Sequence, residues 1–231
     1  MASPLTTGRG QLVTAAGIGQ GNDQEQLAPM LAAAAANTGA AGATTLADSG
    51  YHAGANLAAG AASGRTLLIP DPHDHARSQP YHKDAFIYDA ASDRYTCPEG
   101  QALSFSGTRH DRHGDTVRRY RARPTVCRTC PAFGSCTRNG RHGRTLEIGV
   151  HDALLRQHRA HMHTSAAAAL YARRQVLIEP VFSVVKEQQG GRRFLLRGLQ
   201  NVLAEWTLLL TAFNLRALCR SWRQGLLHPA T

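Results

Sequence analysis

The sequence contains no apolar run of the roughly 18 or more residues that a transmembrane helix requires, and no apolar leader followed by a cleavage site. These absences predict a protein that neither spans a membrane nor is secreted. We therefore expect a cytoplasmic location, in which cysteines stay reduced. The five cysteines are then better suited to metal binding than to disulfides.

Lysine is also nearly absent, since only Lys83 and Lys186 among the 26 basic residues are lysines and the rest are arginines. Acidic residues number 16, which gives a formal net charge of +10. The charge is uneven: residues 1–96 carry five basic and eight acidic side chains, whereas residues 97–231 carry 21 and eight. A strongly basic segment favours a polyanionic partner, and nucleic acid is the partner we expect.

The first 70 residues alternate between short apolar segments and alanine-rich segments. Strands are predicted at 11–18, 43–47 and 66–69, and helices at 24–36 and 52–61. This alternation predicts an α/β fold with a parallel component in its sheet. Asp48 directly follows the second strand, where open α/β sheets place their chemistry; a helix N-cap is the alternative role for its carboxylate.

Four cysteines have a spacing that suits a metal. Cys127 and Cys130 form a CxxC pair, Cys136 follows after five residues, and Cys97 lies 30 positions before Cys127. Four thiolates are a tetrahedral ligand set for Zn²⁺, and the alternative is a group of reduced structural cysteines. The fifth, Cys219, falls in a helical pattern and is predicted to be a buried core thiol.

Residues 171–199 combine a tyrosine, arginines, a glutamate and a lysine around an apolar helix signal. We predict a helix that begins near Glu179 and ends at the glycines 190 and 191. Glu179 and Lys186 would then lie about two turns apart and project from one face. An acid among cations suits a site for a metal and a phosphate backbone, and a solvated, salt-bridged helix is the alternative.

The longest helix signal is at 199–222, where apolar residues recur at steps of three and four. It predicts a helix that packs on the core, or one that forms a dimer. By contrast, residues 71–96 are polar and rich in turn formers, and we interpret them as a linker.

Three parts of the sequence belong together: Asp48 in TLADSGY, the cluster from Cys97 to Cys136, and Tyr171, Glu179 and Lys186 followed by RRFLLRGL. In combination they resemble the DDE transposases of bacterial insertion sequences. More narrowly, they resemble the subgroup with a cysteine-containing insertion between the second and third acids. The third-acid signature of this family is tyrosine, arginine, glutamate and lysine. Either Arg173 or Arg174 matches its arginine.

The resemblance implies an α/β fold with an RNase H-like mixed sheet and helices, interrupted by a small Cys-rich insertion. It implies metal-dependent cleavage and transfer of DNA strands, with Asp48 as the second acid and Glu179 as the third, both holding Mg²⁺ or Mn²⁺. The remaining expected ligands of DNA phosphate are Tyr171, Arg173, Arg174, Lys186, Arg192 and Arg193. Structural Zn²⁺ on the four cysteines is a further expected cofactor.

In this family the first acid lies on a strand upstream of the segment that residues 11–18 resemble. We therefore expect a truncated and impaired transposase that lacks the first strand and the first acid. A non-catalytic, zinc-stabilised DNA-binding protein and a transposase remnant are the alternatives.

The expected organisation has three parts. Residues 1–78 form the N-terminal part of the catalytic domain, 79–150 the linker and the Cys-rich basic insertion, and 151–231 the C-terminal helical part with the third acid. The expected partners are DNA, as transposon ends and target, and a second copy of the chain in a homodimer. The expected location is a bacterial cytoplasm, in association with the nucleoid.

Overall fold

A computed structural model describes residues 2–7, 10–18, 23–39, 44–110 and 115–225. The chain divides into two units: a terminal unit of Met1–Pro70 with His161–Thr231, and a central unit of Asp71–Ala160. The described residues form mixed α/β structure, as the sequence predicts.

The terminal unit contains two small sheets and the longest helices. Its elements are β1 (Ala2–Thr7), β2 (Gly10–Ala16), α1 (Leu27–Thr38), β3 (Thr44–Leu46), α2 (Gly54–Ala62), β4 (Thr66–Leu68), α6 (Ser165–Ser183) and α7 (Leu199–Arg223). The pair β1 and β2 is antiparallel, whereas β3 and β4 are parallel and are joined through α2. The predicted parallel component is therefore confirmed at β3 and β4.

The hydrophobic core of this unit lies between β2, the end of α6 and α7. Its buried members are Val13, Val181, Val185, Trp206, Leu210 and Phe213. Asn214 of α7 completes the contact with β2: its Oδ1 accepts a hydrogen bond from Val13 N at 2.8 Å, and its Nδ2 donates to Val13 O at 2.7 Å. One amide side chain thus satisfies both backbone polar groups of a buried strand residue.

Replacing Asn214 with alanine should destabilise the terminal unit by about 2–4 kcal/mol, because both polar backbone groups of Val13 lose their partner. Asn214→Asp keeps the acceptor but removes the donor, and should have a smaller effect. Urea unfolding followed by tryptophan fluorescence measures this, since both tryptophans, Trp206 and Trp222, lie on α7. Thr211→Ala, at an exposed position of the same helix, is the control; a loss as large as that of Asn214→Ala would contradict the prediction.

Helix α6 begins well before the predicted start near Glu179. Thr164 caps it, with its Oγ1 accepting from Ala167 N at 3.3 Å, and the helix continues through Pro180. Proline removes the backbone hydrogen bond to the residue four positions earlier, which is Val176. Gln11 Nε2 donates to that carbonyl at 3.3 Å instead. The predicted boundary was wrong because this side chain replaces the bond that the proline removes.

Beyond Ser183 the helix widens into a π-helical turn, Val184–Gln188. Its wide hydrogen bonds alter the rotation per residue, so the α-helical spacing that placed Glu179 and Lys186 on one face does not apply across it. The turn ends where Gly191 N donates to Val185 O at 2.9 Å, with Gly190 at φ +73°. The predicted end at these glycines is confirmed.

Helix α7 buries Trp206, Leu210 and Phe213 on one side and exposes a row of apolar residues on the other. The exposed residues on that side include Leu208, Leu215, Leu218 and Trp222. Cys219 is exposed too, so its prediction as a core thiol was wrong.

By length and composition alone α7 could cross a membrane, contrary to the expectation from the sequence; a core helix of a soluble protein meets the same criterion.

The central unit is built on one five-stranded antiparallel sheet. Its elements are α3 (Asp74–Arg77), β5 (Ile87–Asp89), β6 (Arg94–Thr96), β7 (Ala102–His110), β8 (Thr116–Ala122), α4 (Pro124–Arg128), β9 (Thr145–Gly149) and α5 (Asp152–Met162). The strands are neighbours in chain order. Residues 71–96, which we interpreted as a linker, contribute α3 and the first two strands.

A buried ion cluster joins the segment before β5 to α5. The side chains of Asp71 and Asp152 are 1% and 6% exposed, and Arg159 is 10% exposed. Arg159 contacts both Asp71 and Asp84, and Lys83 contacts Asp152. Arg77 and Arg156 add further contacts with these carboxylates. Because every buried carboxylate in this cluster has a cation beside it, the unit can bury them without leaving a charge unpaired.

Candidate active site

Asp48 lies just beyond the carboxyl end of β3, the strand that pairs in parallel with β4. Its Oδ1 accepts a hydrogen bond from Gly50 N at 3.1 Å and so caps a short 3-10 turn, Ser49–Tyr51. Its Oδ2 lies 3.3 Å from Arg174 Nη2. The two roles predicted as alternatives, a cap and a strand-end carboxylate, are therefore combined in one side chain.

Arg174 lies on α6, 126 positions from Asp48 in the chain, so their contact joins two distant segments. Tyr171, one turn earlier on the same helix, lies within electrostatic reach of both. Burial raises the pKa of Tyr171; the positive charge of Arg174 opposes this shift and the carboxylate of Asp48 adds to it. Arg173, the other candidate for the arginine role, is exposed. Tyr171, Arg174 and Asp48 thus form one polar group.

Glu179 is exposed and lies on the last turns of α6. It lies five positions after Arg174 on this helix, which corresponds to about 7.5 Å along the axis and about 140° around it. Glu179 therefore leaves the helix on a different side from the arginine that reaches Asp48. Among the residues that the structure describes, no three His, Cys, Asp or Glu side chains are grouped so that they could hold a metal ion.

The remaining predicted phosphate ligands lie on the π-helical turn and the loop after it. Lys186 is exposed, with its Nζ 5.4 Å from the centre of the Phe182 ring. Arg192 contacts Glu187, and hydrogen bonding to that carboxylate raises the pKa of Arg192. Arg193 is exposed. These three cations face solvent and are accessible to a polyanion.

The four predicted metal-binding cysteines lie around one small cavity of the central unit. Cys97, Cys127, Cys130 and Cys136 all line it, and its volume is about 20 Å³, enough for one water-sized occupant. Two sulfurs accept backbone hydrogen bonds: Cys97 Sγ from Gln101 N at 3.2 Å and Cys127 Sγ from Arg144 N at 3.4 Å. All four cysteines thus line one cavity, and zinc binding by them stays a prediction.

Gly143, the residue before Arg144, allows the close approach of the backbone to Cys127 Sγ. Gly143 has φ +67°, and a Cβ there would meet Ala122 O at 2.9 Å and Cys127 Sγ at 3.2 Å. Burial raises the pKa of Cys136; Arg144 opposes the shift, and the other three thiols add to it. The pKa of the Cys136 thiol thus responds to the other three thiols, although the four cysteines are not arranged as a metal-binding group.

A feature that the sequence analysis did not single out is the role of Glu205 on α7. Its carboxylate accepts hydrogen bonds from the backbone N–H groups of Leu195 and Leu196 at 2.9–3.0 Å. It thereby fixes the loop that follows the π-helical turn. No sequence pattern indicated this contact, because it joins a loop backbone to a carboxylate ten residues further along.

A family model described as a transposase DDE domain matches residues 96–219, which is more than half of the chain. The match includes the four clustered cysteines, Tyr171, Arg174, Glu179 and Lys186, whereas Asp48 lies outside it. The comparisons with curated proteins and with solved structures gave no match.

Proposed function

Because this chain belongs to the DDE transposase domain family, we propose that it cleaves DNA strands and transfers them in the course of transposition. DNA is the partner that the family implies. The proposal assigns Asp48 and Glu179 as catalytic carboxylates, and Tyr171, Arg174 and Lys186 as phosphate contacts. An RNase H-like fold with a Cys-rich insertion, and an origin in a bacterial insertion sequence, belong to the same proposal.

The contact between Arg174 and Asp48 carries this proposal. It places an arginine from the matched region beside an aspartate that the family match does not include. A guanidinium can bind phosphate oxygens in a forked geometry, so Arg174 can hold a DNA backbone beside the Asp48 carboxylate. Tyr171, which is partly buried beside both, restricts the position of the arginine.

DDE transposases generally use divalent cations such as Mg²⁺. Asp48 and Glu179 supply the carboxylate oxygens that this ion prefers, but they do not form a complete site. Both oxygens of Asp48 have partners, Gly50 N and Arg174, and no group of three acidic ligands occurs within the described ranges. The residues therefore do not fit a finished metal site, and the proposal concerns only the roles of the side chains.

Arg174→Ala should lower DNA cleavage at least tenfold, on the scale expected for one stabilising cation, whereas Arg173→Ala should change it less than twofold. The assay uses linear DNA that contains the coding sequence and its flanks, with Mg²⁺ or Mn²⁺. Equal losses in the two variants would mean that Arg174 acts only as one of many surface charges. Cleavage that survives Arg174→Ala at the wild-type rate would contradict its assigned role.

Structural Zn²⁺ on Cys97, Cys127, Cys130 and Cys136 is a separate proposal, supported by the cavity that the four thiols share. Four thiolates are a tetrahedral ligand set for Zn²⁺, so the proposal requires the four cysteines to rearrange around the ion, because the described residues do not form a metal-binding group. Purified protein should then contain about one Zn²⁺ per chain, and only the exposed Cys219 should react quickly with a thiol reagent. A Cys219→Ser variant removes this fast-reacting thiol, so that only the four clustered cysteines are measured. Metal-free protein whose four remaining thiols all titrate in the native state would contradict the zinc proposal.

A homodimer and a location at the nucleoid also remain proposals. The exposed apolar side of α7 is where we expect a second copy, because Leu208, Leu215 and Trp222 recur at seven-residue intervals. Sedimentation of the protein with and without a Leu215→Glu substitution measures this association directly.

A further inference from the structure

We propose that residues 192–197 (RRFLLR), here named the wedge loop, insert leucine side chains between base steps of bound DNA and unstack them. This inference rests on the proposed function and adds to it a specific mode of DNA distortion. Proteins that kink DNA commonly do so with apolar side chains that enter between base pairs, accompanied by basic residues that hold the backbone.

The apolar residues of the wedge loop are exposed to an unusual degree. Leu195 is 78% exposed, Leu196 is 50% exposed and Phe194 is 45% exposed. Three adjacent apolar side chains in contact with water form a surface patch of the kind that usually marks a binding site. Scattered single leucines would need no such explanation.

The loop is also held in place, which a wedge requires. The Glu205 carboxylate accepts from Leu195 N at 2.9 and 3.0 Å and from Leu196 N at 3.0 Å. Phe194 packs edge-on against Trp206, with ring centres 6.1 Å apart and planes at 90°. Because these contacts fix the backbone before DNA arrives, little conformational entropy is lost when the leucines insert.

The charges around the loop favour DNA over the other possible occupants. Arg192 and Arg193 precede the apolar residues and Arg197 follows them, so cations lie on both sides of the wedge. The nearby acids are engaged, Glu187 with Arg192 and Glu205 with the loop backbone. Phosphates on either side of an opened base step match this arrangement. A second copy of the same cationic loop would be repelled.

The test measures base unstacking directly. Short duplexes carry 2-aminopurine at a flexible pyrimidine–purine step, and its fluorescence rises when the base is unstacked. Wild-type protein should raise this signal. The double variant Leu195→Ser, Leu196→Ser should lose most of the rise and about tenfold in affinity, because its leucine surface is no longer buried in the complex. Its salt dependence should stay unchanged, since all three arginines remain.

Two further variants make the outcome specific. Val150→Ser removes an apolar side chain that is 73% exposed in the turn after β9, outside the wedge loop and α7, and should behave as wild type. Leu195→Ser alone changes the most exposed position and should lose part of the fluorescence rise. Tryptophan emission, to which the buried Trp206 contributes, verifies that the terminal unit of each variant is folded.

The outcomes separate this inference from the proposed function. Salt-dependent binding without a fluorescence rise, or with an equal rise in the double variant, would overturn the wedge while leaving transposase function intact. Absence of DNA binding at every salt concentration would overturn both. Binding to anionic phospholipid vesicles that depends on the two leucines, with no change in DNA unstacking, would assign the loop to a membrane surface and overturn the wedge.

Discussion

Glu179→Gln should lower DNA strand cleavage by roughly 10²–10³-fold while leaving DNA affinity nearly unchanged. Glutamine has almost the same shape, but it lacks the negative charge that a carboxylate offers to a metal ion. Glu179 is exposed on α6, so its replacement should not disturb the fold. The measurement compares cleavage rates and DNA dissociation constants at one salt concentration, because affinity for DNA varies steeply with salt.

Glu187→Gln is the matched control for this substitution. Glu187 is also exposed and lies eight residues further along, but it contacts Arg192 and has no assigned catalytic role. It should retain cleavage within about twofold, as surface substitutions usually do. If Glu187→Gln lost as much cleavage activity as Glu179→Gln, the catalytic role assigned to Glu179 would be contradicted. The same conclusion would follow if Glu179→Gln reduced DNA binding and cleavage in parallel.

Arg159→Met should destabilise the central unit by about 3–5 kcal/mol, because it leaves buried carboxylates with less compensating charge. The Arg159 side chain is 10% exposed and contacts both Asp71 and Asp84. Methionine approximates its aliphatic length but supplies no charge and no hydrogen-bond donor. Combining it with Asp84→Asn should restore part of the loss, since the second substitution removes one of the carboxylates that the first leaves short of a partner.

Amide hydrogen exchange can measure this effect within the central unit. Both tryptophans lie in the terminal unit, so their fluorescence does not monitor the central sheet. Exchange in β7 and β8 should accelerate in Arg159→Met while exchange in α7 stays unchanged. Arg109→Met is the control, because Arg109 and Glu147 form an exposed pair worth about 0–1 kcal/mol. Equal protection in the two variants would show that burial of the ion cluster contributes little.

Local patterns were sufficient to predict much of the fold. The alternating segments of the first 70 residues yielded β2, β3 and β4 with α1 and α2 between them, because each is short and has a clear period. The spacing of Cys97, Cys127, Cys130 and Cys136 likewise identified four thiols that line one cavity. In both cases the signal is contained in neighbouring residues or in a recognised ligand spacing.

Predictions failed where a distant side chain changes the local outcome. Pro180 resembles a helix start, but Gln11 bonds the carbonyl that the proline leaves free and α6 continues. The polar residues of 71–96 resemble a linker, yet Asp71 and Asp84 are neutralised by Arg159 from α5. The contact of Arg174 with Asp48 spans 126 positions. No window of local sequence contains such pairings.

The central proposal is that Asp48 and Glu179 both act in metal-dependent cleavage of DNA, although the described residues do not form a finished metal site. Iron-mediated backbone cleavage tests it most directly: Fe²⁺ replaces Mg²⁺, and radicals generated at the bound ion cut the nearby chain. We expect cuts close to both Asp48 and Glu179, and these cuts should be lost in Asp48→Asn and in Glu179→Gln. Cuts near only one of the two acids, or a pattern that neither substitution changes, would contradict it.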